Sequence, residues 1–258
     1  MQASAPEKIV FVGGAPRSGT TVAHALICTS ARVTRYHPEI SFYRGIALAY
    51  RNGAVAWDQH TSAFFSDRGA FRAHMREHSD LALRRIWDAL DRRPILACKD
   101  PLLTRFFPDL AQLHPENAVF VVTVRNPIDI VRSRQEVHER AGSGRPFSAA
   151  DAVGVAREMM EAYQAVLSTD FGGRLFALRY EDLADARIHA ELGAFLGVSD
   201  LDPANMWGTA PDQGDDPWGS PKYYGKIDLS PRLSPLDALL AGHVRQTCAP
   251  LMRRFNYE

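Results

Sequence analysis

The chain has 258 residues, 46% of them hydrophobic and 23% charged, which is the composition of a globular protein with a sizeable core. Its 30 basic residues balance its 30 acidic residues, so we expect no nucleic-acid partner. Three widely spaced cysteines without a CxxC pair argue against a zinc site or a disulfide framework, and the lack of a signal peptide or of an apolar run of about 20 residues predicts a cytoplasmic protein with no membrane span.

The first predicted element is a short apolar strand at Lys8–Val12, which Gly13 and Gly14 end. A polar turn, Arg17–Thr21, separates this strand from a predicted helix over Val22–Thr29. The order of strand, glycine-containing loop and helix is the one that opens a βαβ unit.

Strand-like and helix-like segments alternate along the rest of the chain. Ala118–Val124 (AVFVVTV) is apolar and β-branched almost throughout, as a parallel strand buried on both faces should be. Further strands are predicted at Pro94–Cys98 and Arg174–Tyr180. The predicted helices are Ala70–Leu90, Pro127 to about Arg140, Ala149–Ser168, Leu183–Leu196 and Leu236–Phe255, the last interrupted near Pro250. This alternation predicts one α/β domain over residues 1–258, with a central parallel sheet flanked by helices.

The loop after the first strand, Gly14–Thr21 (GAPRSGTT), has the G-x4-G spacing of a phosphate-binding P-loop. Thr20 stands where the P-loop of a nucleoside-triphosphate site has the lysine that reaches the β- and γ-phosphates. Backbone N–H groups and hydroxyls can still hold one phosphate at the helix N-terminus, and Arg17 adds a fixed charge. We therefore expect a site for a nucleotide with a single 5′-phosphate that carries another group. A glycine-rich turn without a ligand is the alternative.

A second candidate anion site follows the third predicted strand. Arg125 closes that strand, and Ser133 lies about two turns into the helix that Asn126 and Pro127 open. An arginine and a hydroxyl placed in this way can hold a second phosphate from two sides. The alternative for Arg125 is an ion pair at the strand end. Two separated phosphate sites on one nucleotide imply a 3′,5′-bisphosphate.

These segments together resemble sulfotransferases that depend on 3′-phosphoadenosine 5′-phosphosulfate (PAPS), and their motifs are nearest to the tyrosylprotein sulfotransferase-like bacterial branch. The loop just described is similar to the 5′-phosphosulfate loop of that family, and Arg125 with Ser133 is similar to its 3′-phosphate motif. Lys99-Asp100-Pro101 is similar to a segment that supplies a catalytic lysine, and Arg179–Leu183 to a segment whose tyrosine contacts the cofactor. The resemblance runs from Ile9 to about Leu196 and implies a P-loop-like nucleotide-binding core. The cofactor contacts that it implies are Pro16, Arg17, Ser18, Gly19, Thr20, Thr21, Arg125, Ser133, Tyr180 and Lys226.

The resemblance also implies catalytic residues. Lys99 and Arg17 are the candidate cations around the transferring sulfuryl group. The base of the tyrosylprotein branch lies just after the first helix. In this chain Glu39 is the only carboxylate between Glu7 and Asp58, so it is the candidate base. His37 is the alternative, because histidine is a common base near neutral pH. Ser220 matches, by position only, a late serine that helps to stabilise the transition state in that branch.

The implied cosubstrate is PAPS, the implied product is 3′-phosphoadenosine 5′-phosphate (PAP), and no metal is expected. We expect an acceptor that is a small molecule or a peptide with a hydroxyl. The aromatic-rich segments Tyr36–Phe65 and Met206–Ser230 suit a phenol, a tyrosyl peptide or a lipid, and a sugar can stack on the same rings. The sequence leaves open whether the protein forms a homodimer.

Two rival functions follow from the same residues. A P-loop-like kinase of a small molecule would need a lysine in place of Thr20 and a magnesium-binding aspartate, for which Asp100 is the candidate. A regulatory module that binds a nucleotide without catalysis is the other, and the grouping of Lys99, Glu39 and Arg17 at strand ends argues against it. Mass spectrometry of ligand retained on purification would separate the three.

Overall fold

The computed structural model describes residues 5–142, 144–206, 227, 229 and 235–257. Its central sheet has four strands in the order β2–β1–β3–β4, and every neighbouring pair is parallel. The strands are β1 (Lys8–Gly14), β2 (Ile95–Lys99), β3 (Ala118–Val124) and β4 (Leu175–Arg179). The expected fold class, α/β with a central parallel sheet flanked by helices, is confirmed.

The helices lie on both faces of this sheet. They are α1 (Thr20–Ile27), α2 (Arg44–Val55), α3 (Arg68–Ala89), α4 (Phe107–Leu113), α5 (Pro127–Arg140), α6 (Ala149–Leu167), α7 (Ala186–Leu196) and α8 (Ala238–Arg254). Helices α1 and α7 cover one face, and α2 to α6 with α8 cover the other. No helix within the described part of the chain is long and apolar enough to cross a bilayer.

Alternation along the central strand explains the two apolar layers. Successive side chains of a strand point to opposite faces, and in β1 Ile9 and Phe11 join the larger core while Val10 and Val12 join the smaller one. All four side chains are buried, so an apolar run without polar alternation is what a strand covered on both faces requires.

The structure corrects several predicted bounds. Strand β1 continues through Gly13 and Gly14, which pair with Val122 and Thr123 of β3. A Cβ atom at Gly13 would overlap the ring of Phe107, so glycine extends this strand by permitting close packing. The glycines that seemed to end the strand are therefore part of it.

Two helices were missed, and one break was predicted wrongly. Helix α2 buries few residues and contains Gly45 and Gly53, which weaken the helical signal, and α4 is only seven residues long. Pro250 lies inside α8 without ending it. The buried residues Leu251 and Met252 pack into the core after it, and this packing keeps the helix whole.

The strand order places the loops that carry the motifs. From β1 the chain leads to β2 on one side, and from β3 it leads to β4 on the other side. The loops after β1 and β3 therefore diverge, and a crevice opens between them at the carboxyl edge of the sheet. Ligands of open α/β sheets bind at such a switch point.

Candidate active site

The loop after β1 turns sharply before α1 begins. Arg17 and Gly19 both adopt the left-handed backbone region, with φ of 75° and 97°. The Ser18 N–H donates to the Ala15 carbonyl at 3.0 Å and closes the turn. Gly19 precedes α1, and no described side chain caps that end of the helix. The first N–H groups of α1 are consequently available to an anion, as they are at helix N-termini that bind phosphate.

Both the packing of a neighbouring side chain and the backbone angle require a glycine at position 19. A Cβ atom there would overlap the ring of Tyr180, which follows β4. Tyr180 in turn stacks against Arg125, whose Cζ atom lies 4.2 Å from the ring centroid. Three residues that sequence analysis proposed from separate motifs thus meet at one wall of the crevice.

Buried hydroxyls support the loop from below. The Ala15 N–H donates to the Tyr163 hydroxyl at 3.0 Å, and that hydroxyl donates to the Thr123 carbonyl at 2.7 Å. The Ser18 and Thr123 hydroxyls share a hydrogen bond of 2.7 Å. The Gly14 N–H donates to the Thr104 hydroxyl at 2.6 Å. Burial raises the pKa of Tyr163 to about 12, which keeps it a donor.

Sequence analysis missed Thr104, Thr123 and Tyr163. The available signal was a single polar residue in an apolar run: Thr123 in AVFVVTV and Thr104 in PLLTRFF. The structure also turns the Ser18 side chain inward to Thr123, so its hydroxyl supports the loop from within. Pro16 lies in the turn, and α1 begins at Thr20, two residues before the predicted start at Val22.

The second candidate anion site lies beside the loop. Arg125, directly after β3, donates from Nη1 to the Arg17 carbonyl at 3.2 Å. Its Nε is buried and has no hydrogen-bond partner among the described residues. Ser133 is buried on α5 and accepts from Arg17 Nε at 2.9 Å. Because buried polar atoms in native proteins are nearly always paired, this Nε is a donor suited to an anionic ligand.

The Arg17 side chain therefore points to the second site. Its guanidinium reaches Ser133, and its carbonyl is held by Arg125. Arg125 and Ser133, which sequence analysis grouped, are thus linked through Arg17.

Lys99 forms the other half of the crevice. It ends β2 with only 4% of its surface exposed. Its Nζ donates to Thr21 Oγ1 at 3.0 Å and to Glu39 Oε1 at 3.0 Å. The Ile40 N–H donates to the Lys99 carbonyl at 3.2 Å, which ties the segment carrying Glu39 to the end of β2. The structure thus joins the phosphate loop, the lysine and the carboxylate.

His37 is placed differently from Glu39. Its ring is buried, with Nδ1 lying 2.6 Å from the Pro38 carbonyl oxygen and Nε2 lying 2.7 Å from the Ala97 carbonyl oxygen. The ring of His24 packs edge-on against it at 4.9 Å. Burial holds the pKa of His24 well below its usual value, and the neighbouring His37 and Lys99 lower it further. Both ring nitrogens of His37 thus face the backbone, whereas the Glu39 side chain is 43% exposed.

Ser220 and Lys226 lie outside the described residues. Within the described ranges, no group of three or more His, Cys, Asp or Glu side chains is arranged to hold a metal ion.

A model of the Sulfotransferase family matches residues 9–200. The chain belongs to the sulfotransferase family. Every described residue of the candidate site, from Pro16 to Tyr180, lies within the matched range. No curated protein matches this sulfotransferase.

Solved structures of sulfotransferases share the fold. The sulfotransferase domain from the Synechococcus PCC 7002 olefin synthase is 17% identical, with a TM-score of 0.58 over 100% of this chain and 98% of that one. The sulfotransferase domain from the curacin biosynthetic pathway is 16% identical, with a TM-score of 0.58 over 99% of both chains. A sulfotransferase from Alicyclobacillus acidocaldarius is 13% identical, with a TM-score of 0.56 over 98% and 94% of the two chains. At sequence identities this low, the structural similarity shows a shared fold with a P-loop-like core.

Proposed function

We propose that this sulfotransferase transfers the sulfuryl group of PAPS to a hydroxyl of an acceptor and releases PAP. The observation that carries the proposal is the double contact of Lys99, whose ammonium group bridges Thr21 of the phosphate loop and the carboxylate of Glu39. A cation between an anion site and a partly exposed carboxylate is the arrangement that proton removal and transfer of a charged group require.

The 5′ side of the nucleotide is assigned to the loop after β1. The uncapped start of α1 offers N–H groups and the positive end of the helix dipole to one phosphate. Thr20 and Thr21 stand at the helix start, where a nucleoside-triphosphate site would have its lysine and magnesium-binding hydroxyl. This loop suits one phosphate with an attached sulfuryl group.

The 3′-phosphate is assigned to the second site. Arg125 offers a buried Nε without a partner among the described residues, and Ser133 and Arg17 already contact each other there. Tyr180, which stacks on Arg125, completes the wall next to the nucleotide. A charge-assisted contact of this kind contributes about 1.5–3 kcal/mol when buried.

The chemistry needs a base and a positive charge. PAPS, when bound, supplies the sulfuryl group, and PAP is what remains. Glu39 takes the proton of the acceptor hydroxyl while the acceptor oxygen forms its bond to sulfur. Lys99 stabilises the negative charge that grows on the bridging oxygen as its bond to sulfur breaks. Glu39 is preferred over His37 because its side chain is 43% exposed, whereas both ring nitrogens of His37 face backbone carbonyl groups.

The acceptor is proposed to be a small molecule or peptide with an apolar body beside its hydroxyl. Phe42, three residues beyond Glu39, exposes 64% of its surface. An exposed aromatic ring so near the base suits a phenol, a tyrosyl peptide or a lipid, and it also permits stacking of a sugar.

The geometry fits the alternative function, a small-molecule kinase, less well. Asp100, the candidate magnesium ligand, is almost fully buried and accepts from the Leu102 N–H at 2.9 Å. Its other oxygen lies 2.9 Å from Arg44 Nε. Burial raises the pKa of Asp100. A carboxylate already engaged in this way is poorly suited to a magnesium ion that needs octahedral oxygen ligands.

Calorimetric titrations with PAP and with ATP test the proposal, each with magnesium and with EDTA. We expect PAP to bind with the same affinity in both buffers, and ATP to bind much more weakly. Incubation with PAPS and a panel of phenolic, peptide, lipid and sugar acceptors should then release PAP. Tight binding of ATP that EDTA abolishes, without binding of PAP, would favour the kinase. PAP binding without transfer to any acceptor would favour the non-catalytic module.

A further inference from the structure

Glu181, two residues after the end of β4, bridges two distant parts of the chain. Its Oε1 accepts the N–H of Asn126 at 3.0 Å, and its Oε2 accepts the hydroxyl of Tyr257 at 2.8 Å. We call this set of three residues the Glu181 bridge. It joins the turn after β3, the turn after β4 and the residues that follow α8.

Tyr257 is anchored at this position by its own surroundings. Only 8% of its surface is exposed, and its N–H donates to the Met252 carbonyl at 2.9 Å. Asn256 adopts a left-handed backbone with φ of 54°, which turns the chain back toward the sheet edge. The guanidinium of Arg179 lies 4.9 Å from the ring centroid. Burial and the Glu181 carboxylate raise the pKa of the Tyr257 hydroxyl, so it is a donor at neutral pH.

Both turns held by the bridge carry a residue assigned to the nucleotide. Asn126 follows Arg125 and caps α5 by accepting the Ile128 N–H at 3.0 Å. Glu181 follows Tyr180, whose ring lies under Arg125. The bridge therefore sets the distance between the two turns from which Arg125 and Tyr180 meet.

The carboxylate of Glu181 has an electrostatic consequence for this site. It lies one residue from Tyr180 and is bonded to the residue after Arg125, so its negative charge stands close to the place of the proposed 3′-phosphate. Like charges at close range in a partly buried site oppose each other. The Asn126 N–H and the Tyr257 hydroxyl each hold one oxygen of this carboxylate, whereas Arg125 Nε has no hydrogen-bond partner among the described residues.

We propose that Tyr257 is a positioning residue of the nucleotide site, which restrains the Glu181 carboxylate so that Arg125 stays available to a 3′-phosphate. This inference rests on the proposed function. Without the Tyr257 hydroxyl, the carboxylate is free to rotate toward Arg125 and to compete with the phosphate for it. The Glu181 bridge thereby makes preference for a 3′-phosphate depend on a residue beyond α8.

Calorimetry with PAP and with adenosine 5′-phosphate tests the inference, because the two ligands differ only in the 3′-phosphate. We expect Tyr257→Phe to raise the Kd of PAP about tenfold and that of adenosine 5′-phosphate by less than about twofold, the scale of one lost charge-assisted contact. In the background of Glu181→Gln, where no negative charge is left to restrain, the effect of Tyr257→Phe on PAP should fall below about twofold. A merely structural role of Tyr257 would not depend on the charge at position 181.

Tyr50→Phe is the matched control. Tyr50 is also nearly buried, and its hydroxyl donates to Gln112 on α4 at 3.0 Å, among elements that do not carry the nucleotide residues. It should leave both affinities at the wild-type value. Equal loss of both ligands in Tyr257→Phe, or a loss that persists in the Glu181→Gln background, would overturn the inference. If Tyr257→Phe does not fold, Glu181→Asp gives the same test, because the shorter carboxylate cannot reach both partners.

Failure of the inference and failure of the proposed function have different signatures. Wild-type protein that binds neither PAP nor adenosine 5′-phosphate contradicts the proposed function itself. Wild-type protein that prefers PAP, together with a Tyr257→Phe variant of unchanged preference, contradicts the role of Tyr257 alone.

Discussion

At the scale of single residues, the candidate site depends on where a few charged side chains point. Lys99 is almost fully buried, and its ammonium group donates to Thr21 Oγ1 and to Glu39 Oε1 at the carboxyl edge of the sheet. A buried lysine so paired keeps its position, because breaking its contact with Glu39 would leave a buried charge without its partner. Glu39 is consequently held next to the phosphate loop although it belongs to a segment without regular structure.

Glu39→Gln tests the assignment of the base. The amide keeps the shape of the side chain but cannot take a proton, so turnover should fall about 10²–10⁴-fold. The affinity for PAP should stay near that of the wild type, since Glu39 is assigned to the acceptor side. Steady-state turnover with an active acceptor and calorimetry with PAP measure the two quantities.

His37→Gln is the control for that prediction. The ring nitrogens of His37 face the carbonyl oxygens of Pro38 and Ala97, so we expect a modest change in turnover. Loss of turnover in His37→Gln together with its retention in Glu39→Gln would reverse the assignment. Retention in both would mean that the proton leaves by another route.

At the scale of elements, the phosphate loop is shaped by helices and strands that never touch a ligand. Tyr163 on α6 and Thr123 on β3 hold Ala15 and Ser18 from beneath. Arg17 is a non-glycine residue in the left-handed region and strains this loop, and such strain persists only where the surroundings fix it. The preorganised loop is therefore a property of β1, β3 and α6 together.

Tyr163→Phe measures this support. Removal of the hydroxyl takes away a hydrogen-bond partner of the buried Ala15 N–H and of the Thr123 carbonyl. The free energy of unfolding should therefore fall by about 1–3 kcal/mol. The affinity for PAP should fall as well, because the loop is no longer held. Urea unfolding and calorimetry give the two values.

Tyr50→Phe serves as the comparison for stability. Its hydroxyl donates to Gln112, which is exposed and can bond to water instead, so the loss should be below about 1 kcal/mol. Equal losses in the two variants, with unchanged affinity for PAP, would show that Tyr163 does not shape the loop.

At the scale of the whole molecule, a buried polar network joins the helices of the larger core. The Ser79 hydroxyl on α3 shares hydrogen bonds with the Tyr43 hydroxyl at 2.5 Å and with His114 Nε2 at 2.7 Å. His114 Nδ1 lies 3.4 Å from Asp80. Burial lowers the pKa of His114 to about 4, although the Asp80 charge opposes that shift.

Stability should consequently depend on pH below neutrality. An unfolded histidine takes up its proton near pH 6.5, whereas folded His114 does so only near pH 4. Between these values the unfolded state binds more protons, so stability is full above pH 6.5 and falls as the pH drops. The contribution of His114 should be about 2 kcal/mol lower at pH 5 than at pH 7.

The test compares urea unfolding of the wild type and of His114→Gln at both pH values. His24 is also buried with a lowered pKa, so the wild type carries more than one such group, and the difference between the two proteins isolates His114. A pH dependence that is the same in both proteins would contradict the prediction.

Sequence alone specified the parts of this protein that depend on neighbouring residues. The β3 strand and helices α5 and α6 were placed correctly, and the order of elements in the βαβ opening was right, because periodicity and turn chemistry are local properties. The P-loop-like turn after β1 was recognised for the same reason, since its glycines and hydroxyls lie within one short segment. Helix α2, with two glycines and few buried residues, had no comparable signal.

The tertiary structure decided which distant residues share the site. Lys99 and Glu39 are 60 residues apart, Arg17 and Ser133 are 116 apart, and Glu181 and Tyr257 are 76 apart. These contacts follow from the order β2–β1–β3–β4 and from the packing of α6 and α8, which no local pattern encodes. The orientation of a side chain such as His37 depends likewise on the carbonyl groups that surround it after folding, so it is settled by packing and not by sequence position.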